Sequence, residues 1–138
     1  MIRTATIEDM PRLLQYADAF LSYHPLTATL PREMAAVEGM LGRMIDNPSA
    51  VIFVHDHGVI GGIIVPIWCA PKTAVATELF WWAERNGIEL MRAFEDWACA
   101  SGADIVQMLS IAGRRSPDAL YVRAGYAKTE VSYVRAVR

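Results

Sequence analysis

The hydrophobic period of this 138-residue chain changes at Asp46-Asn47-Pro48, and that change limits the folds open to it. Upstream, Ile7, Met10, Leu13, Leu14, Ala17, Phe20 and Leu21 recur at helical spacing, as do Met34, Val37, Met40, Leu41, Met44 and Ile45. Downstream, 50–54 and 59–68 are compact apolar runs separated by His55-Asp56-His57-Gly58, the spacing of a β-hairpin. Neither an all-helical nor an all-β chain fits both halves.

The remaining elements follow from local signals. Residues 2–5 read as a short first strand, and Thr6 as an N-cap with Asp9 three positions on. His24-Pro25 stops the first helix after Tyr23, and Pro31 suits the first turn of the second. Gly61-Gly62 inside a strand marks a bulge or a close backbone approach. Residues 74–82 form the next strand. An amphipathic helix follows over 87–100, ended by Ser101-Gly102. Residues 104–109 form a further strand. Ser116-Pro117 opens a short helix to Ala124, and 127–137 read as a closing strand. The order is β-α-α-β-β-β-α-β-α-β. It predicts an α/β (α+β) domain over 1–138, with a mixed, mostly antiparallel sheet flanked by helices.

Composition narrows the class. With 54% hydrophobic and 20% charged residues, the chain can build a core without staples. A net charge of −2 gives no drive toward nucleic acid or an anionic membrane. The first ten residues lack the apolar segment of a signal peptide. The longest apolar stretch, 59–70, is too short to span a bilayer and contains Pro66. A soluble cytoplasmic protein is expected. Cys69 and Cys99 lack metal-ligand spacing and sit among apolar or small residues, so two buried free thiols are expected. His55-Asp56-His57 offers two imidazoles but no third ligand at a recognisable spacing, so no metal is expected.

One stretch carries chemistry. In "ELFWWAERNGIELMRAFEDWA", residues 78–98, a strand-like run is followed after four residues by Gly87, which opens the amphipathic helix. The first N–H groups of a helix lack internal partners and the helix dipole favours an anion there. Gly87 permits close backbone approach, and Arg85 could add a charge-assisted contact to phosphate. Trp81 and Trp82 are neighbours on a strand and must point to opposite faces.

Three stretches together resemble the GNAT superfamily of acyl-CoA-dependent N-acyltransferases. "TELFWW" at 77–82 is similar to that family's central strand. "GIELMRAFEDWACASGADIVQM" at 87–108 is similar to its cofactor helix and following strand. "ALYVRAGYAKTE" at 119–130 is similar to its Leu-Tyr-x-x-x-Gly-Tyr/Phe motif. The small form with "ELFWW…EDWA" is similar to bacterial and phage members. The resemblance implies an acetyltransferase that moves acetyl from acetyl-CoA, as cosubstrate, to the primary amine of a small molecule or peptide by direct attack. It implies Glu78 as general base and Tyr121 as general acid toward the departing thiolate. The cofactor would lie along Phe80, Trp81 and Trp82, with its pyrophosphate on Arg85, Asn86, Gly87 and Ile88. It places His24 beside the acceptor site, although a helix-end role also fits.

The chain departs from the family in two places. The loop 83–89 holds one Gly, is several residues short, and brings in Glu84 and Glu89. Arg114 stands where the family often has Asn, seven residues before Tyr121 and beside Arg115; the pair could grip phosphate or sit in a solvated loop. A second expectation therefore stands beside the first: a GNAT-fold binding or scaffold module that has lost CoA. The alternating segment 128–137 could further pair at a sheet edge to form a homodimer.

Overall fold

A computed structural model describes residues 1–113 and 115–138. The elements are β1 (Arg3–Thr4), α1 (Met10–Tyr23), α2 (Met34–Asp46), β2 (Ala50–His55), β3 (Gly58–Ile67), β4 (Ala70–Ala83), α3 (Gly87–Ala100), β5 (Ile105–Gln107) and α4 (Asp118–Arg123). The five strands lie in sequence order in one sheet. The pairs β1–β2, β2–β3 and β3–β4 are antiparallel, and β4–β5 is parallel. The parallel pair is the one joined through a helix, as a crossover connection requires.

Each face of the sheet buries its own core. On one face α1 and α2 bring Met10, Leu13, Leu41 and Met44 against Ala50, Ile52, Val54 and Val59. On the other, Leu90, Phe94 and Ala98 of α3 pack on Val51, Ile60 and Ala76. The central strands therefore lack polar alternation: β2 is buried at Ala50, Val51, Ile52, Val54 and His55.

Local chemistry explains the element ends. The Thr6 N–H donates to the Asp9 carboxylate at 2.8 Å, and Arg3 holds both oxygens of that carboxylate at 2.7 Å. The arginine and this backbone donor keep Asp9 well below the usual carboxylate range. At the other end of α1, His24 Nδ1 accepts from the Leu26 N–H at 3.1 Å and caps the short turn over Pro25–Ala28.

Several expectations need correction. Pro31 precedes α2, which begins at Met34 with Glu33 as its N-cap. The short C-terminal helix starts at Asp118, just beyond Ser116-Pro117. Residues 127–137 form no strand, and every one of them is exposed. Their alternation is real, but a strand also needs a neighbour, and among the described residues none pairs with them. Cys69 and Cys99 are exposed rather than buried. Cys69 lies in the two-residue turn between β3 and β4, which starts four residues earlier than expected. Cys99 follows Ala98 by about 100° of helix and points off the face that Leu90, Phe94 and Ala98 bury. Among the described residues, no helix is long and apolar enough to cross a membrane.

Candidate acyl-transfer site

The site begins with a bulge. Gly61 pairs with Phe80 and Gly62 with Glu78, which leaves Leu79 as an extra residue in β4. The two glycines make room for it. A Cβ on Gly61 would fall 2.3 Å from the Phe80 ring, and one on Gly62 2.3 Å from the Thr77 carbonyl oxygen and 2.6 Å from Phe94. The sequence signal at Gly61-Gly62 thus marked both a bulge and a close approach.

The second feature is a splay. β4 and β5 pair only at Val75–Ile105, Ala76–Val106 and Thr77–Gln107. β4 then runs on to Ala83 without β5 beside it. Glu78 stands where the ladder stops. It is 3% exposed, and its Oε2 accepts from the Leu109 N–H at 3.2 Å. Burial pushes its carboxyl up to about 8, against the pull of that backbone donor. Burial thus favours the neutral carboxyl at pH 7, and the carboxylate becomes prevalent only in alkaline solution.

Tyr121 closes on the same residue. Its hydroxyl donates to the Leu109 carbonyl oxygen at 2.7 Å. Its ring stacks on Trp81, with centroids 6.1 Å apart and planes at 28°. Burial raises the phenol above its ordinary value, and the nearby Glu78 adds to this. Leu109 thus offers its N–H to one candidate and its C=O to the other. Sequence reading had no signal for this shared partner, because it depends on where the chain passes after β5.

The start of α3 lies next to Trp81. Asn86 takes a left-handed conformation, φ 58°, ψ 31°, and no side chain caps the helix. Asn tolerates this region better than most residues. His55 holds the turn in place. Its Nδ1 accepts from the His57 N–H at 3.0 Å, so its Nε2–H donates to the Asn86 carbonyl oxygen at 3.1 Å. A Cβ on Gly87 would meet Ala83 Cβ at 3.2 Å and the Trp81 ring at 3.3 Å. The Trp81 Nε1–H is buried without an acceptor among the described residues. Arg85, Asn86, Ile88, Glu84 and Glu89 are all exposed around the helix start. The two glutamates face water, where salt screens their effect on an anion.

Trp82 and Phe80 belong to the opposite face, with the α1/α2 core. Trp82 lies 5.1 Å from Tyr23, and the Arg115 guanidinium sits 4.1 Å over its ring. Arg115 also donates to the Ala83 carbonyl oxygen at 2.9 Å, across the wide end of the splay. Arg114 lies outside the described residues. His24 is occupied in its turn cap, and burial lowers its pKa. His55 and His57 join no group of three metal-binding side chains among the described residues.

The structure thus gathers Glu78, Trp81, Tyr121 and Gly87 on one side of the splay. Arg85, Asn86 and Ile88 ring the helix start, and Phe80 and Trp82 turn away to the other side.

No family model and no curated protein matches the sequence. Solved structures do match over nearly the full length. A GCN5-related N-acetyltransferase from Ralstonia eutropha JMP134 superposes with a TM-score of 0.72 at 16% identity, covering 100% of this chain and 99% of that one. An aminoglycoside antibiotic 6'-N-acetyltransferase from Acinetobacter haemolyticus gives 0.73 at 12% identity, covering 100% and 98%. A protein described as a transcriptional regulator from Bacillus halodurans C-125 gives 0.76 at 14% identity, covering 99% and 98%. The chain has the GNAT fold: a five-stranded, mostly antiparallel sheet flanked by helices.

Proposed function

We propose that this protein is an N-acyltransferase that moves an acetyl group from acetyl-CoA to a primary amine of a small molecule or peptide. One observation carries the reading. β4 and β5 part at Thr77 and Gln107, and the gap lies beside a helix start that no side chain caps. A thioester arm needs such a gap, and a pyrophosphate needs such a helix start. Gly87 packed on Trp81 adds no side chain of its own at the helix start, and the Trp81 Nε1–H, without an acceptor among the described residues, is a donor still to be used.

In this proposal the amine nitrogen attacks the thioester carbonyl. A C–N bond forms, the C–S bond breaks, and the carbonyl oxygen carries negative charge between the two events. A backbone N–H of the kinked strand near Trp81 or Trp82 stabilises that charge. The proton lost by nitrogen goes to Glu78, directly or through water. The burial that lifts Glu78 to about 8 makes it a competent acceptor in mildly alkaline solution. The departing thiolate takes a proton from Tyr121, whose hydroxyl turns from the Leu109 carbonyl to the sulfur, and the proton gathered by Glu78 passes through water to the phenolate, so that both groups return to their starting state. No covalent enzyme intermediate is needed.

A second reading has its own support. Glu78 and Tyr121 are both already satisfied by Leu109, and Arg115 bridges the wide end of the splay. A GNAT-fold module that no longer binds CoA would look the same. Isothermal titration with acetyl-CoA separates the two. The enzyme reading expects micromolar binding, release of free thiol with an amine panel, and a fall of about 10²–10⁴ in rate for Tyr121→Phe. Absence of binding at millimolar acetyl-CoA sinks the enzyme and leaves the module.

A further inference from the structure

Between α1, α2 and the far face of the sheet lies an apolar pocket of about 290 Å³, partly open to solvent, with most of its lining residues half-buried. Its walls include Leu13, Ala17 and Phe20 of α1, Met40 of α2, Val59 of β3 and Phe80 of β4. Among the described residues, no charged side chain lines it. The one hydroxyl in its wall among the described residues, that of Tyr16, is already donated to the Asp56 carbonyl oxygen at 3.0 Å.

Protein interiors are close-packed, and voids larger than a water molecule are few. A hydrocarbon-lined cavity of about 150 Å³ stays dry and accepts benzene. This pocket is nearly twice that size, though partly open, and its lining among the described residues is almost wholly apolar. Its floor is the bulge itself: Leu79 and Phe80 both face it. Its α1 wall ends at Phe20 and Leu21, one turn from Tyr23 and the Tyr23–Trp82 contact. The cavity therefore meets the splayed stretch of β4 from the side opposite Glu78 and Tyr121.

We infer that this cavity binds the alkyl or aryl group of a substrate, so that the transfer reaction handles an apolar partner. The inference rests on the acyltransferase reading for the word substrate, but not for the binding itself. The apolar group can arrive on the acceptor amine or on the thioester, and these two sources are experimentally separable.

The test begins with toluene, which is neither amine nor thioester. The wild-type protein is expected to bind it saturably, seen as chemical-shift changes confined to α1, α2, β3 and β4, and as a raised melting temperature. Ala17→Phe fills the cavity and is expected to weaken toluene at least tenfold while leaving acetyl-CoA affinity unchanged. Val37→Phe does the same from α2 should the first variant fold poorly. Phenethylamine binding more tightly than ethylamine, with octanoyl-CoA no better than acetyl-CoA, assigns the cavity to the acceptor. The reverse assigns it to the acyl chain. Wild-type protein that does not bind toluene overturns the inference, as does equal toluene affinity in a folded, filled variant. Toluene binding without any acetyl-CoA binding supports the cavity and removes the acyltransferase reading alone.

Discussion

Replacing Glu78 by Gln should make the protein more stable, and increasingly so as pH rises. In the unfolded chain the carboxyl titrates at 4.5, whereas in the fold it is held until about 8. Between these values the folded state binds the extra proton, so stability is present in full at low pH and is lost as pH rises through the window. Each pH unit costs about 1.4 kcal/mol. The cumulative loss is about 3 kcal/mol at pH 7 and about 5 kcal/mol at pH 8, as an upper limit. Gln keeps an oxygen for the Leu109 N–H and never ionises. Its amide needs an acceptor of its own, which takes back about 1 kcal/mol. Urea unfolding at pH 5, 6, 7 and 8 reads the effect. Other groups titrate too. His24 is lowered by burial and contributes stability that grows as pH rises toward 6.5, and Asp9 is fully ionised throughout. Both act equally in the two proteins and cancel in the difference. The two stability curves should start close together at pH 5 and diverge by at least 2 kcal/mol at pH 8. Parallel curves would refute the claim that this carboxyl is buried and neutral.

Two further outcomes are expected. Gly62→Ala places a methyl 2.3 Å from a backbone oxygen that cannot rotate away; a loss of about 3 kcal/mol in thermal melts is expected, and an unchanged melt would mean that β3 and β4 are not packed this closely. Light scattering should give about twice the 15.3 kDa chain mass, because residues 127–138 expose Val131, Tyr133, Val134 and Val137 while β5 has no outer partner among the described residues; a strict monomer would end that idea.

How far the sequence could be read depended on whether the signal was local. Helix α3 begins at Gly87 and ends at Ala100 as its apolar spacing and flanking glycines required. The two adjacent tryptophans do point to opposite faces, Trp81 to α3 and Trp82 to α1. Pairwise facts that need a second segment were invisible. Nothing in 127–137 says whether a neighbouring strand exists. Nothing around Cys69 says that the hairpin turn closes on it. The grip of His55 on Asn86 spans 31 positions, and the bonds of Glu78 and Tyr121 to Leu109 span 31 and 12. A stretch quoted in one piece can suggest that a phosphate site exists, but the backbone that crosses beside it comes from elsewhere.

The extra residue at Leu79 also acts as a change of parity. Before it, the even-numbered residues Ala76 and Glu78 face α3. After it, the odd-numbered Trp81 and Ala83 do. Glu78 and Trp81 share a face only because one residue between them is not counted by the pleat. Drawing Leu79 into the pleat would turn the far end of the strand over, sending Trp82 toward Tyr121 and Trp81 toward Tyr23, whereas deleting it would leave both facings as they are. What sets the faces is therefore that Leu79 stays outside the ladder, which the bare Gly61 and Gly62 opposite it allow. Since residues 79–83 are all apolar, such a slip leaves hydropathy unchanged, so the bulge rather than the hydrophobic pattern decides which tryptophan meets Tyr121.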